Sequence, residues 1–228
     1  DTILSELLTE QELQEIAEED LIGDPVLIGE AAPSPLLHLS SWKTFQSLGQ
    51  IAALKKHSGY DLRKAETIIE WGGGYGNFAK CVWRLRQKPQ TYILIDTPYF
   101  CVLKWLYLSS IFPWEHPTAG ECDSIKLLTG KDDEIIPGKI NILPCARLKN
   151  FSFRGEVFVA LFSLSESARI AQELVLARDW FECPNIILGY QTEDPRYTDA
   201  PWLGDQLRAT RAGVYTDIRA GFAHIAFV

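Results

Sequence analysis

The sequence predicts an α/β fold, a mainly parallel sheet covered by helices, with a C-terminal antiparallel hairpin and an N-terminal helical cap. Three observations predict it. From residue 67 onward, short β-rich runs alternate with helical stretches, the signature of βαβ units. The block Glu70-Trp71-Gly72-Gly73-Gly74-Tyr75-Gly76 closes one such run and opens a helical one. Two runs at the end of the chain, 213–219 and 222–228, lie close enough in sequence to pair as a hairpin.

Each element follows from local signals. Thr9 and Glu12 form a capping box and Leu13 and Ile16 continue its stripe, so a helix is expected near 9–19. Gly23, Pro25, Gly29, Pro33 and Pro35 then break periodicity, as a surface connection does. A second helix begins after Ser40-Ser41, carries Trp42, Phe45, Leu48, Ile51 and Ala52 on one face, and stops at Gly59. These two helices make up a cap over residues 1–60, and the α/β domain takes 61–228.

In that domain Thr67–Trp71 is the first strand, Phe78–Arg86 a helix and Tyr92–Ile95 the second strand. Pro98 suits the first position of a helix running to about Ser110. Residues 112–139, with their Pro, Gly and acids, read as a long irregular insertion. Asn141–Leu143 and Val157–Phe162 are the third and fourth strands, and Asn185–Tyr190 is the fifth. Between the last two, Ser165–Trp180 reads as a helix with Ile170, Leu174 and Ala177 inward. A loop through Trp202 leads to the hairpin.

Composition narrows the function classes. The chain of 228 residues is long enough for one domain with an extension and too short for two full enzymatic domains. A net charge of −8, with no basic cluster interleaved with aromatics, argues against a nucleic-acid partner. Lys55-Lys56 and Arg84, Arg86 and Lys88 read as solvated helix faces or last turns. No apolar run reaches the ~18 residues of a membrane span, and the acidic start lacks the basic and apolar regions of a signal peptide. Cytoplasm is the expected location. The chain begins at Asp1 and holds no Met, so a natural N-terminus upstream, with any targeting segment in it, stays open. Five widely spaced cysteines without a C-x-x-C pair speak against a disulfide framework or a zinc site, and no metal is expected. Self-association as a homo-oligomer is compatible with all of this.

The glycine block carries the chemistry. Gly72, Gly74 and Gly76 allow a ligand to approach backbone where any Cβ would collide. Glu70, two residues earlier, is placed to anchor the loop and face a cationic ligand group. Asp96, twenty residues after Gly76 and at the end of Tyr92-Ile93-Leu94-Ile95, is placed to accept both hydroxyls of a ribose. Loop, acid and strand order together point to a class I S-adenosylmethionine-binding methyltransferase of Rossmann-like plan. Gly73, Thr97, Cys145, Phe162 and Ser163 complete the expected cofactor-contacting set. Gly74-Tyr75-Gly76-Asn77-Phe78-Ala79 also satisfies G-x-G-x-x-A, so a dinucleotide-dependent oxidoreductase is the alternative; Glu70 and the hairpin weigh against it.

The same glycine block, with Tyr92-Ile93-Leu94-Ile95-Asp96-Thr97-Pro98, Tyr107-Leu108-Ser109 and Phe162-Ser163-Leu164-Ser165-Glu166, resembles the bacterial sugar O-methyltransferase family over residues 40–192. Thr97, Ser167 and Ala160 depart from it, standing where that family favours Leu, Met and Asn. The resemblance implies methyl transfer from S-adenosylmethionine to a hydroxyl of a sugar or glycosylated small molecule. A non-catalytic relative that keeps the cofactor pocket is a further alternative, suggested by Ala160.

A hydroxyl nucleophile gains from a general base, and the end of the fourth strand is the natural place for one. Glu166 is the catalytic candidate there; otherwise it is an acid in the first turn of a helix capped by Ser165. Ser165, Gln191 and Trp202 are the substrate-binding candidates, with Tyr190, Glu193 and Tyr197 at the same sheet edge. His224 reads as a packed strand residue and His116 as a surface-loop histidine. Asp123, Asp132, Asp133 and Glu134 lack a defensible magnesium-ligand spacing.

Overall fold

Strict alternation of side chains along the strands sorts the protein into three layers. A computed structural model describes residues 8–17, 41–115, 124–192, 196, 200–219 and 223–228. Its elements, in chain order, are α1 (Glu10–Ala17), α2 (Trp42–Ser58), β1 (Thr67–Trp71), α3 (Asn77–Leu85), β2 (Thr91–Asp96) and α4 (Pro98–Glu115). There follow β3 (Ile125–Leu127), β4 (Ile140–Pro144), β5 (Val157–Leu161), α5 (Arg169–Ala177), β6 (Asn185–Gln191), α6 (Ala200–Thr210), β7 (Tyr215–Arg219) and β8 (Ala223–Phe227).

The eight strands form one sheet in the order β3-β4-β2-β1-β5-β6-β8-β7. All neighbours are parallel except β8, which runs antiparallel to both β6 and β7. Alternation decides the faces: Ile68, Leu94 and Val159 join a core with α1, α2, α3 and α4. Ile69, Ile93, Ile95 and Phe158 point the other way, into a core with α5 and α6. The fold is the expected mainly parallel α/β sandwich with a C-terminal antiparallel hairpin.

Helix boundaries follow the capping chemistry. The Thr9 hydroxyl accepts from Glu12 N at 3.2 Å and Thr9 N donates to Glu12 Oε2 at 2.8 Å, a reciprocal box that starts α1. Ser41 caps α2, and Gly59, at φ 76, ends it in the left-handed conformation a residue with a Cβ resists. Leu48, Ile51 and Leu54 of α2 are buried in the same core as β1, so this helix is part of the α-layer over the sheet.

Four expectations need correction. The segment read as wholly irregular contributes the short parallel edge strand β3, whose three residues are too few to show a period. The loop through Trp202 is helix α6, which buries Ala200, Leu203 and Leu207 against the far face of the sheet. The helix expected from Ser165 begins only at Arg169, because 163–167 forms a hydrogen-bonded turn in which Glu166 N donates to Phe162 O and Ser167 N to Leu164 O. Its inward face is also different: Gln172 and Val175 are buried, whereas Ile170 is 77% exposed and Leu174 and Ala177 face solvent. After α5 the chain turns left-handed from Asp179 to Glu182, and this turn carries Trp180 and Phe181 into the core.

Candidate functional site

Chain order runs outward from β1 in both directions, to β2 and β4 on one side and to β5 and β6 on the other. The crevice between the ends of β1 and β5 is therefore the switch point where open α/β sheets bind ligands. Register brings the expected residues to that edge. Trp71 pairs with Ile95, Asp96 with Pro144, and Leu161 with Gly189, so Gly72, Asp96, Cys145, Phe162 and Gln191 all lie at or just beyond the carboxyl ends of their strands.

The glycine loop is folded as a cradle. Gly72, Gly73 and Gly74 have φ of 84, 86 and 55°, and Gly76 has φ 102° before α3 begins. Two of these positions are also sterically closed. A Cβ on Gly72 would strike the Ser163 side chain, whose hydroxyl donates to Trp71 O, and a Cβ on Gly73 would strike Glu70 Oε1. The loops after β1 and β5 thus touch across the crevice. The edge is further fixed by Gly72 N, which donates to Ile95 O at 2.7 Å.

Glu70 lies beneath this loop and is fully buried. Its Oε2 accepts from the Tyr92 hydroxyl at 2.7 Å, and its Oε1 has no hydrogen-bond partner among the described residues. Burial pushes the Glu70 carboxyl up to about 7, opposed by the Tyr92 hydrogen bond and by the charge of Lys104. A buried acceptor with nothing to accept is costly unless a donor reaches it.

Asp96 stands at the end of β2. Its Oδ1 accepts from Thr97 N at 2.7 Å and its Oδ2 is paired with Lys104, whose side chain is wholly buried in α4. Thr97 is exposed, and the partly buried Cys145 follows β4 on the neighbouring edge. Sequence reasoning missed Lys104 and Tyr92. Each had a signal, since Lys104 is the lone charged residue before Glu115 in the apolar run of α4 and Tyr92 the lone hydroxyl in the buried middle of β2.

The segment after β5 gathers the other candidates. Phe162 takes φ 70°, a left-handed turn that ends the strand, and its N donates to Gly189 O at 3.1 Å. Ser165 is buried, with its hydroxyl 2.7 Å from both Phe162 O and Gln191 Oε1. Gln191 Nε2 donates in turn to Glu166 Oε1 at 2.9 Å. Ser165, Gln191 and Glu166 therefore form one chain reaching from the core to the surface. Ser167 accepts from the Trp71 indole at 3.1 Å, a polar contact that a Met there would lack. Ala160 is fully buried in the core with α5 and α6. Trp202 packs against that core from α6 and carries the Arg169 guanidinium 3.1 Å from its ring centre.

Other candidates fall outside the cluster. His224 stacks on Tyr190 and lies 3.1 Å from the Thr192 hydroxyl, as a packed strand residue does. Asp133 is taken up by Gly130 N, Lys126 and Arg147. Among the described residues no group of three or more His, Cys, Asp or Glu is arranged to hold a metal. His116, Asp123, Glu193 and Tyr197 lie outside the described residues.

The chain matches no protein-family model and no curated protein. It is similar in fold to solved methyltransferases. An O-methyltransferase from Bacillus cereus, in complex with SAH, aligns over 100% of this chain and 94% of its own at 10% identity and a TM-score of 0.51. A ribosomal protein L11 methylase from Lactobacillus delbrueckii subsp. bulgaricus aligns over 87% and 90%, with 14% identity and a TM-score of 0.50. An O-methyltransferase family protein from Burkholderia thailandensis gives 15% identity and a TM-score of 0.50 over 80% of this chain, which spans 56% of that protein. The fold is that of Rossmann-like methyltransferases.

Proposed function

We propose that the chain is an S-adenosylmethionine-dependent O-methyltransferase whose acceptor is a hydroxyl of a sugar or glycosylated small molecule. One observation carries the proposal. A glycine cradle, a buried carboxylate oxygen without a partner beneath it, and a carboxylate at the end of the next strand converge on one sheet edge. These features fit the cofactor's parts: backbone for its methionine end, Glu70 for its cationic groups, Asp96 for its ribose hydroxyls. When bound, the cofactor supplies an electrophilic methyl group on a sulfonium. Gly72, Gly73, Gly74 and Gly76 admit it close to the main chain, and Thr97, Cys145, Phe162 and Ser163 border it. The terminal hairpin of β7 and β8 and the likeness in fold to methyltransferases weigh against a nicotinamide dinucleotide.

On the acceptor side, Glu166 takes the hydroxyl proton or fixes a sugar hydroxyl. Gln191 holds one of its oxygens, leaving the other for the acceptor. Ser165 is buried and acts through Gln191, by fixing the amide orientation. Trp202 borders the acceptor through the Arg169 guanidinium that covers its ring, whose N–H groups suit sugar hydroxyls. Positioning of the acceptor supplies much of the rate. In this assignment residues 61–228 carry the catalytic unit, the helices before them complete its α-layer, and the enzyme works in the cytoplasm.

Calorimetry with S-adenosylhomocysteine tests the cofactor, and a donor-consumption screen over sugars tests the acceptor. Binding of S-adenosylhomocysteine and none of NADH is expected; the converse removes the assignment. Glu166→Gln should lower kcat about 10²-fold while leaving S-adenosylhomocysteine affinity unchanged. Full activity in that variant would take the proton-transfer role from Glu166.

A further inference from the structure

Nine large apolar side chains are exposed among the described residues, and six of them lie on α4: Tyr99, Phe100, Val102, Leu103, Trp105 and Leu106. The helix is apolar nearly all round, as fully buried helices are. Its inward face, Cys101, Lys104, Leu108, Ile111 and Phe112, is accounted for by the core. Its outward face is not. Tyr99 is 77%, Leu106 52% and Val102 48% exposed. Together the six present roughly 500 Å² of apolar surface, at the upper end of what a single chain usually exposes in one patch and somewhat over half of the ~800 Å² that each partner contributes to a standard interface.

We infer that this face pairs with the same face of a second copy of the chain, the two α4 helices packing antiparallel about a two-fold axis between Lys104 and Trp105. Charge favours that occupant. The chain carries a net charge of −8, so two copies repel over most of their surfaces. The outward stripe of α4 contains no charged side chain, because Lys104 is wholly buried against Asp96. It is a neutral strip on which like copies meet without opposing charges.

Shape favours it as well. Tyr99, Leu103, Leu106 and Ser110 follow one another at spacings of four, three and four, which places them on one side of the helix. In an antiparallel pair centred between residues 104 and 105, Leu103 of one copy meets Leu106 of the other, and Tyr99 meets Ser110. The largest side chain of the stripe thus faces its smallest. The same operation generates both halves, as a closed two-fold interface requires. Antiparallel helices also oppose their dipoles favourably. This pairing does not depend on the proposed reaction.

Light scattering after size-exclusion chromatography tests the pairing on the whole chain, at about 1 to 100 μM because dimers dissociate on dilution. A mass near twice 25.7 kDa is expected at the upper end. Leu106→Glu and Leu103→Lys should each give monomers that unfold at the temperature of the wild type measured at the dilute end, where it too is monomeric, since both positions are exposed. Mixing the two monomeric variants should restore a dimer, because Lys at 103 of one then faces Glu at 106 of the other. A wild-type chain monomeric throughout, a dimer that Leu106→Glu leaves intact, or failure of the mixture to reassociate would each overturn the pairing. So would a monomer that co-sediments with phosphatidylcholine vesicles through these residues, which would assign the face to a bilayer.

Discussion

Lys104, wholly buried in α4, is paired with Asp96 at the carboxyl end of β2. The carboxylate is thereby fixed from two sides, by Lys104 on Oδ2 and by Thr97 N on Oδ1. Removing the buried Lys104 leaves the partly buried Asp96 charge without its counter-ion but still accepting from Thr97 N, at a cost of about 1–3 kcal/mol. Lys104→Met should therefore lower stability by that order in denaturant titrations. Asp96→Asn in the same background should recover part of the loss, because the orphaned charge is removed with it. If Asp96 binds a ribose, Lys104→Met should also weaken S-adenosylhomocysteine at least tenfold, while leaving an analogue without ribose hydroxyls unaffected. Equal losses for both ligands would make Lys104 a purely structural residue.

Glu70 gives the protein a pH dependence of unusual sign. Its carboxyl titrates about 7 in the folded chain against a usual value of 4.5, so the folded state binds this proton more tightly than the unfolded one. The contribution to stability is greatest below about pH 4.5 and falls as pH rises through 7, by up to about 3 kcal/mol in all. Glu70→Gln cannot lose a proton and should flatten this slope. The variant should gain on the wild type between pH 5 and pH 8 in parallel denaturation curves. A constant difference across that range would mean that Glu70 stays charged throughout. Cofactor affinity should move the other way, strengthening with pH as the carboxylate forms, because the proposed ligand is cationic at that end.

The glycine loop separates steric need from conformational need. At Gly73 a Cβ would strike Glu70 Oε1 and at Gly72 the Ser163 side chain, both with backbone at φ above 80°. At Gly74, φ is 55° and nothing lies within 4 Å of an added Cβ. Gly74→Ala should cost about 1 kcal/mol, the penalty of a left-handed Ala. Gly73→Ala must in addition displace the buried Glu70 carboxylate, and Gly72→Ala the partly buried Ser163. Both should be the more destabilised in thermal melts, and Gly72→Ala should split the β1 and β5 loops that meet across the crevice.

Much of this was legible from the chain alone. The glycine block, Asp96 and the strand order rest on local rules, namely turn chemistry and periodicity, and those rules act over a few residues. The Ser165-Glu166-Gln191 chain was legible as a set of edge residues, but its internal order needed the pairing of β5 with β6 that brings residues 25 and 26 apart into contact. Lys104 was missed because its partner, eight residues earlier, closes β2 while Lys104 lies in the helix that follows, so no single period relates the two. The face of α5 was misread for a different reason. Ile170 and Leu174 make a plausible stripe, but the turn at 163–167 rotates the helix start so that Gln172 and Val175 point inward. Apolar character alone does not settle a face on so short a helix. The left-handed turn at 179–182 had no signal at all, for none of its residues is Gly.

That turn yields the last expectation. Asp179, Trp180, Phe181 and Glu182 have φ of 48, 55, 56 and 58°, a conformation costing each L-residue roughly 1–2 kcal/mol. Packing holds it in place. Trp180 and Phe181 are buried, the Trp180 indole donates to the Thr210 hydroxyl at 3.2 Å, and the Phe181 ring stacks on Phe153 at 5.3 Å. Emptying the core at Trp180 would cost about 3–5 kcal/mol, more than the strain it would relieve. Glu182 is different: it is exposed and has φ 58°. Glu182→Gly relieves its steric cost at the smaller price of backbone freedom, about 0.5–1 kcal/mol. The net should be a stabilisation of up to about 1 kcal/mol, read as a higher denaturant midpoint at unchanged slope. Glu182→Ala, which keeps the Cβ and removes only the carboxylate, should give no such gain; equal gains in both would trace the effect to charge rather than to backbone.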